Sequence, residues 1–169
     1  MTGRPAAAIG AAALAVAAAA CSASRIEGGT FHSAKGYAVT LPADGWRVAP
    51  GGRADLTLRR DSPPGGMVVD ATCDGEERGR ALPVLTRHLT FGLTRRETVE
   101  RDARTVAGRP AEHLIVRGVA DGADVEVEAL VVQGERCVHD FLYVAPVDQF
   151  ESGRPAFQAL VESFAGEPR

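Results

Sequence analysis

Residues 112–132 read EHLIVRGVADGADVEVEALVV. Two runs rich in Val, Leu and Ile, 112–119 and 124–132, flank Ala120-Asp121-Gly122-Ala123. An Asp-Gly pair between such runs is a strong hairpin signal, because a two-residue turn needs positive φ at both central positions. The stretch predicts two antiparallel strands turning at 121–122.

Working outward, RCVHDFLYVA (136–145) predicts a further strand, apolar enough on both faces to be interior. On the other side, ETVER (97–101) is a strand candidate, and VAGRPA (106–111) is a turn punctuated by Gly and Pro. GYAVTLP (36–42) alternates Tyr37, Val39 and Leu41 with small or polar neighbours and stops at Pro42. ADG (43–45) turns the chain into the short strand WRV (46–48). ADLTLRR (54–60) alternates about Leu56 and Leu58, DSPPGG (61–66) is a turn-rich loop, and GMVVDATC (66–73) predicts a central strand.

Two segments change the period. In ALPVLTRHLTFGL (81–93), Leu82, Leu85 and Leu89 recur at i, i+3 and i+7, one face of a helix. Pro83 is tolerated only in a first turn, so the helix begins there, and Gly92 is expected as its left-handed C-cap with Leu93 folding back. PVDQFESGRP (146–155) breaks the pattern. Phe157, Leu160, Val161 and Phe164 then define a closing amphipathic helix over 155–164.

The order of strands, helix, strands and C-terminal helix resembles the PsbP/Mog-like α/β sandwich superfamily, common among small bacterial lipoproteins. The residues carrying the likeness are Gly36-Tyr37 through Leu41-Pro42, Gly45-Trp46, the Gly108 turn, and Phe157 with Ser163-Phe164. The resemblance implies an α+β fold: a mainly antiparallel β-sheet with one mid-chain helix and one C-terminal helix packed on it. It also implies roles such as assembly factor, extrinsic subunit or partner-binding module rather than enzyme. It supplies no binding-site residue, and a cysteine pair is not a general feature of the group.

The N-terminus indicates location. Arg4 is the sole charge before residue 25, and residues 6–20 carry no strongly polar side chain. A basic start, an apolar run too short to span a membrane and a small-residue exit make 1–20 a signal peptide. Ala18-Ala19-Ala20-Cys21 resembles a bacterial lipobox, with Ala18 where Leu or Val is usual. Cys21 is thus the expected lipidation site of a palmitate-bearing lipoprotein, with plain secretion after Ala20 as the alternative. Residues 21–29 are expected to form a tether, 30–165 a single domain and 166–169 a tail. The expected location is the cell envelope, facing the periplasm or the exterior. In a Gram-negative organism Ser22 favours the outer membrane.

Loss of 1–20 removes one of 19 basic residues and none of the 22 acids, leaving a formal charge of −4. That balance disfavours nucleic acid as a partner. Lys35 is the lone lysine. The arginine pairs Arg59-Arg60 and Arg95-Arg96 are either solvated surface or contacts for phosphate-rich partners. With Cys21 acylated, Cys73 and Cys137 remain in an oxidising compartment and are expected to form a disulfide, the alternative being two buried thiols.

No reaction is visible. Ser152 lacks the Gly-x-Ser-x-Gly elbow of a hydrolase and reads as the start of a helix. His32, His88, His113 and His139 lack zinc spacing, and His139 and Asp140 point to opposite strand faces. The acidic loops CDGEE (73–77) and DGAD (121–124) lack an EF-hand pattern and read as turns. Tyr37 and Trp46 form core or line a pocket. Catalytic residues, metal and cofactor are all expected to be none. The reading is a lipid-anchored envelope accessory or binding protein with an envelope protein partner of unknown identity. The alternatives are a carrier of a small apolar ligand, with a cavity under the C-terminal helix, and an envelope enzyme whose residues converge only in three dimensions.

Overall fold

The computed structural model describes residues 23–75 and 79–166. The expected signal peptide, the expected lipidation site Cys21, part of the first acidic loop and residues 167–169 of the expected tail lie outside them. No helix among the described residues is long and apolar enough to cross a membrane.

Among the described residues, ten strands and two helices follow in chain order. They are β1 (Arg25–Glu27), β2 (Thr30–His32), β3 (Ala38–Thr40), β4 (Arg47–Val48), β5 (Leu56–Asp61), β6 (Pro64–Thr72), α1 (Leu82–His88), β7 (Thr94–Val106), β8 (Arg109–Ala120), β9 (Ala123–Gln133), β10 (Val138–Pro146) and α2 (Phe150–Glu162). A seven-stranded sheet has the order β4-β5-β6-β10-β9-β8-β7, and a small one the order β1-β2-β3. Every pairing is antiparallel.

The opening stretch is the β8–β9 hairpin, paired from Ala120↔Ala123 back to Ala111↔Val132. Asp121 and Gly122 have φ of 51° and 83°, the left-handed pair that a tight hairpin turn requires. Ala107 and Gly108 repeat the device between β7 and β8, with φ of 48° and 73°. As expected, β10 is interior and β6 lies beside it.

Alternation divides the large sheet into two faces. Leu58, Met67, Val69, Ile115, Leu130, Phe141 and Tyr143 share one face and pack with Phe157, Leu160 and Phe164 of the C-terminal segment and with Phe31, Tyr37 and Val39 of the small sheet. Val131 and Val138 lie on the other face beneath Leu85 of α1, with Leu82 and Leu89 alongside. Tyr37 belongs to the core and Trp46 packs at its margin.

The structure corrects four local expectations. Residues 25–29 are not a tether: Arg25–Glu27 pairs with Thr30–His32 across the left-handed Gly28-Gly29 turn. The 61–66 loop is a tight hairpin, since Asp61 already pairs with Pro64. Helix α1 ends at His88 with Leu89 as a right-handed C-cap, and Gly92 is not left-handed. Thr90 Oγ1 instead donates to the Arg87 carbonyl at 2.9 Å, satisfying a helix-end acceptor that a glycine cap would otherwise serve. Finally, α2 starts at Phe150, five residues before the expected 155, with Pro155 inside it. Buried Phe150 stacks on Tyr143 at 5.1 Å between ring centroids and holds this first turn down.

Candidate functional site

Two hairpin turns fix the register of three strands and so assemble a charged cluster that is not contiguous in sequence. Asp102 of β7 lies opposite His113 of β8, which lies opposite Leu130 of β9. Glu128, two residues along β9, shares that face. His113 is fully buried. Its Nδ1 is 2.8 Å from Asp102 Oδ1 and its Nε2 is 2.9 Å from Glu128 Oε1. Arg104 Nε donates to Asp102 at 2.7 Å and Arg104 Nη2 to Glu100 at 3.0 Å. From α2, Arg154 Nε donates to Glu128 Oε2 at 3.1 Å.

The electrostatics follow from these contacts. Burial opposes a charge on His113, but hydrogen bonds to Glu128 and Asp102 outweigh it and raise the imidazole pKa above its ordinary value. The Arg104 guanidinium beside Asp102, helped by His113, pulls that carboxyl down to about 2. Each ring nitrogen already faces a carboxylate, so in its protonated form the ring donates from both and has no nitrogen left to take a proton from a nucleophile. Glu100, Asp102 and His113 bring one potential metal-ligand atom each within 4.8 Å of one another. Arg104 already spans both carboxylates, so an entering cation would meet a guanidinium.

A cavity of about 320 Å³ opens beside this network between α2 and the sheet. Leu130, Phe157 and Val161 give it apolar walls, with Arg104, Glu128 and Glu162 as its charged groups. A larger depression of about 710 Å³ along β5, β6 and the end of β10 is open to solvent. Its charged residues are Arg59, Arg60 and Asp61, and Arg59 and Asp61 lie 3.4 Å apart.

A second cluster surrounds the lone lysine. Lys35 Nζ lies 2.8 Å from Asp55 Oδ1 and 3.1 Å from Asp70 Oδ1. Tyr37 donates its hydroxyl to Asp55 at 2.9 Å. Burial opposes the lysine charge, yet the two aspartates raise its pKa. Burial first, then Asp55, holds the Tyr37 phenol well above its usual range.

The residues singled out from sequence fall as follows. Ser152 occupies the first turn of α2, its Oγ donating to the Gln149 carbonyl at 2.6 Å. His139 is buried against Tyr37 and Phe164, and His88 lies 4.7 Å from the Phe91 ring. DGAD is the β8–β9 turn. Cys73 follows β6 and Cys137 precedes β10, and a disulfide joins them with Cα atoms 3.9 Å apart. The sequence reading missed the His113 network. Of that network only Glu128 stood out, an acid between Val127 and Ala129 in a predicted strand.

The fold resembles the PsbP-like α/β sandwich, and solved structures share it. LpqN of Mycobacterium tuberculosis, involved in cell envelope biogenesis, superposes with a TM-score of 0.61 at 17% identity, over 78% of this chain and 83% of that one. Cyanobacterial PsbP (CyanoP) of Synechocystis sp. PCC 6803 gives 0.56 at 14% identity, over 81% and 91%. A Bacteroides thetaiotaomicron protein gives 0.61 at 10% identity, over 85% of this chain and 50% of that one. No protein-family model and no curated protein matches the sequence.

Proposed function

We propose that this chain is a lipid-anchored accessory or binding protein of the cell envelope, without catalytic activity. The observation supporting a non-catalytic role is the saturation of His113. Both ring nitrogens face carboxylates, and those carboxylates face Arg104 and Arg154. Such a closed network fixes the register of β7, β8, β9 and α2 rather than activating a nucleophile.

The likeness to an envelope-biogenesis protein agrees with an extracytoplasmic setting. Lipidation at Cys21 would hold the domain close to the bilayer. Strand β1 begins at Arg25, so three residues separate it from the cysteine and reach roughly 13 Å when extended. Cys21→Ala should release the protein from membranes or leave it unprocessed, since two acyl chains anchor stably. A correctly processed Cys21→Ala protein that still fractionates with membranes would overturn the lipid anchor. Cross-linking in native membranes, followed by identification of the partner, tests the accessory role.

The cavity beside α2 supports a second reading, a carrier for a small apolar ligand, since about 320 Å³ lies within the usual range for such pockets. Native mass spectrometry after gentle extraction separates the two. A co-purifying small molecule lost in Val161→Trp would favour the carrier, and a cross-linked protein partner the accessory role.

A further inference from the structure

We infer that the cleft between α1 and β7, on the opposite face of the sheet, binds a single tetrahedral oxyanion, in the first place a phosphate group. The cleft measures about 110 Å³. At about 30 Å³ per water molecule, that is the space of three to four waters, enough for one such anion and too small for a nucleotide. Leu114 and Val116 form its floor, and Arg87, Arg96 and Arg101 line it.

Simple alternation along β7 would send Thr98 and Arg101 to opposite faces. Of two register shifts, between Thr94 and Glu97 and between Thr98 and Glu100, the second prevents this, and the first sets which face Thr98 takes. Thr98 lies opposite Val116 and Arg101 opposite Leu114, so both turn toward α1. Each shift adds one residue to β7, and bulges of this kind re-aim side chains. Glu97, opposite Arg117, and Glu100, opposite Ile115, are left on the far face. The first shift holds Arg95 at a φ of 49°. Asp44, Ala107 and Asp121, the other left-handed non-glycine residues described, lie in turns, whereas Arg95 lies within a strand. The backbone thus sustains strain while Arg96 and Arg101 reach the α1 side and Glu97 and Glu100 the other.

The cations are also placed in advance. Arg101 Nε donates to Glu112 at 2.7 Å, which fixes the side chain and leaves its other N–H groups for a second acceptor. The Arg96 guanidinium lies over the Phe91 ring at 5.4 Å, and stacking leaves its in-plane N–H fork open. Among the described residues neither Arg87 nor Arg96 has a carboxylate partner. Three guanidinium groups against one carboxylate make the cleft positive in a chain of net charge −3. Planar N–H forks around a pocket of this size match tetrahedral oxyanion geometry. The same chemistry would take free phosphate or the phosphate of a lipid headgroup, and exposed Phe91 stands beside it.

The test uses the chain from residue 22 onward, so that neither acylation nor the apolar run 6–20 holds it on vesicles. Inorganic phosphate is titrated calorimetrically, and co-sedimentation is measured with phosphatidylcholine vesicles with and without phosphatidylglycerol. Saturable binding should weaken about tenfold in Arg87→Gln and in Arg96→Gln, the loss of one charged hydrogen bond. It should not change in Arg53→Gln, an exposed arginine remote from the cleft. Binding of inorganic phosphate with this pattern identifies a free anion as ligand. The same pattern with phosphatidylglycerol vesicles alone identifies a headgroup. Absence of binding to both probes overturns the inference, as does wild-type affinity in both cleft variants or an equal loss in Arg53→Gln.

Discussion

His113 is fully buried with a carboxylate on each ring nitrogen, so its charge couples stability to pH. Its pKa is raised on folding, and an unfolded histidine titrates near 6.5. The stabilisation is therefore fully present below about pH 6.5 and is lost as pH rises through the folded value. Asp102 works in the opposite sense. Its carboxyl is lowered to about 2, so its contribution is present above about pH 4 and disappears as pH falls toward 2. His113→Leu removes the shared cation and leaves buried Glu128 facing Arg154 alone. The loss should be about 3–5 kcal/mol in urea unfolding at pH 6. The gap to wild type should narrow at pH 9, and a gap independent of pH would refute a charged His113. None of this geometry was legible residue by residue. Asp102, His113 and Glu128 meet only through the register of three strands, and histidine spacing along the chain carries no trace of that.

At the scale of elements, α2 shows where local propensity misleads. Gly153 and Pro155 are poor helix interior residues, and the apolar spacing that marks the helix runs only from Phe157 to Phe164. Tertiary contact decides otherwise: the Tyr143 hydroxyl donates to the Phe150 carbonyl at 2.8 Å, beneath the first turn. A Cβ on Gly153 would overlap Tyr143 Oη and lie 2.9 Å from Arg60 Nη2. Gly→Ala in a helix normally stabilises by about 0.5–1 kcal/mol. Here Gly153→Ala should destabilise by about 1–3 kcal/mol through overpacking, and a rise in Tm would contradict the close approach. Phe164, just past the helix, is buried against Tyr37, His139 and Phe141. Phe164→Ala should lose about 3–5 kcal/mol, and a loss below about 1 kcal/mol would show this segment undocked. The β8–β9 hairpin, by contrast, was legible because Asp121-Gly122 specifies the turn chemically. β1 was not, because a three-residue strand beside Gly28-Gly29 has the composition of a linker.

The whole molecule is tied across its middle. β6 and β10 are neighbours in the sheet, yet α1, β7, β8 and β9 all intervene between them in the chain. That pairing closes a long loop, and its entropy opposes folding. The Cys73–Cys137 disulfide sits at the end of this pair, beyond the opposed residues Thr72 and Val138, and spans a sequence separation of 64. A loop of that length corresponds to about 4 kcal/mol in the chain-entropy model, a large share of the roughly 5–15 kcal/mol typical of a domain. Reduction, or the Cys73→Ala/Cys137→Ala pair of substitutions, should therefore lower unfolding free energy by about 4 kcal/mol while leaving the native fold intact by circular dichroism. The strand pairing survives without the bridge because seven residue pairs hold β6 to β10, from Val138↔Thr72 to Val144↔Gly66. Native protein unfolded without reductant should show no reactive thiol at positions 73 and 137. Alkylation of both, or a stability change below about 1 kcal/mol on reduction, would show that the sheet closes this loop unaided.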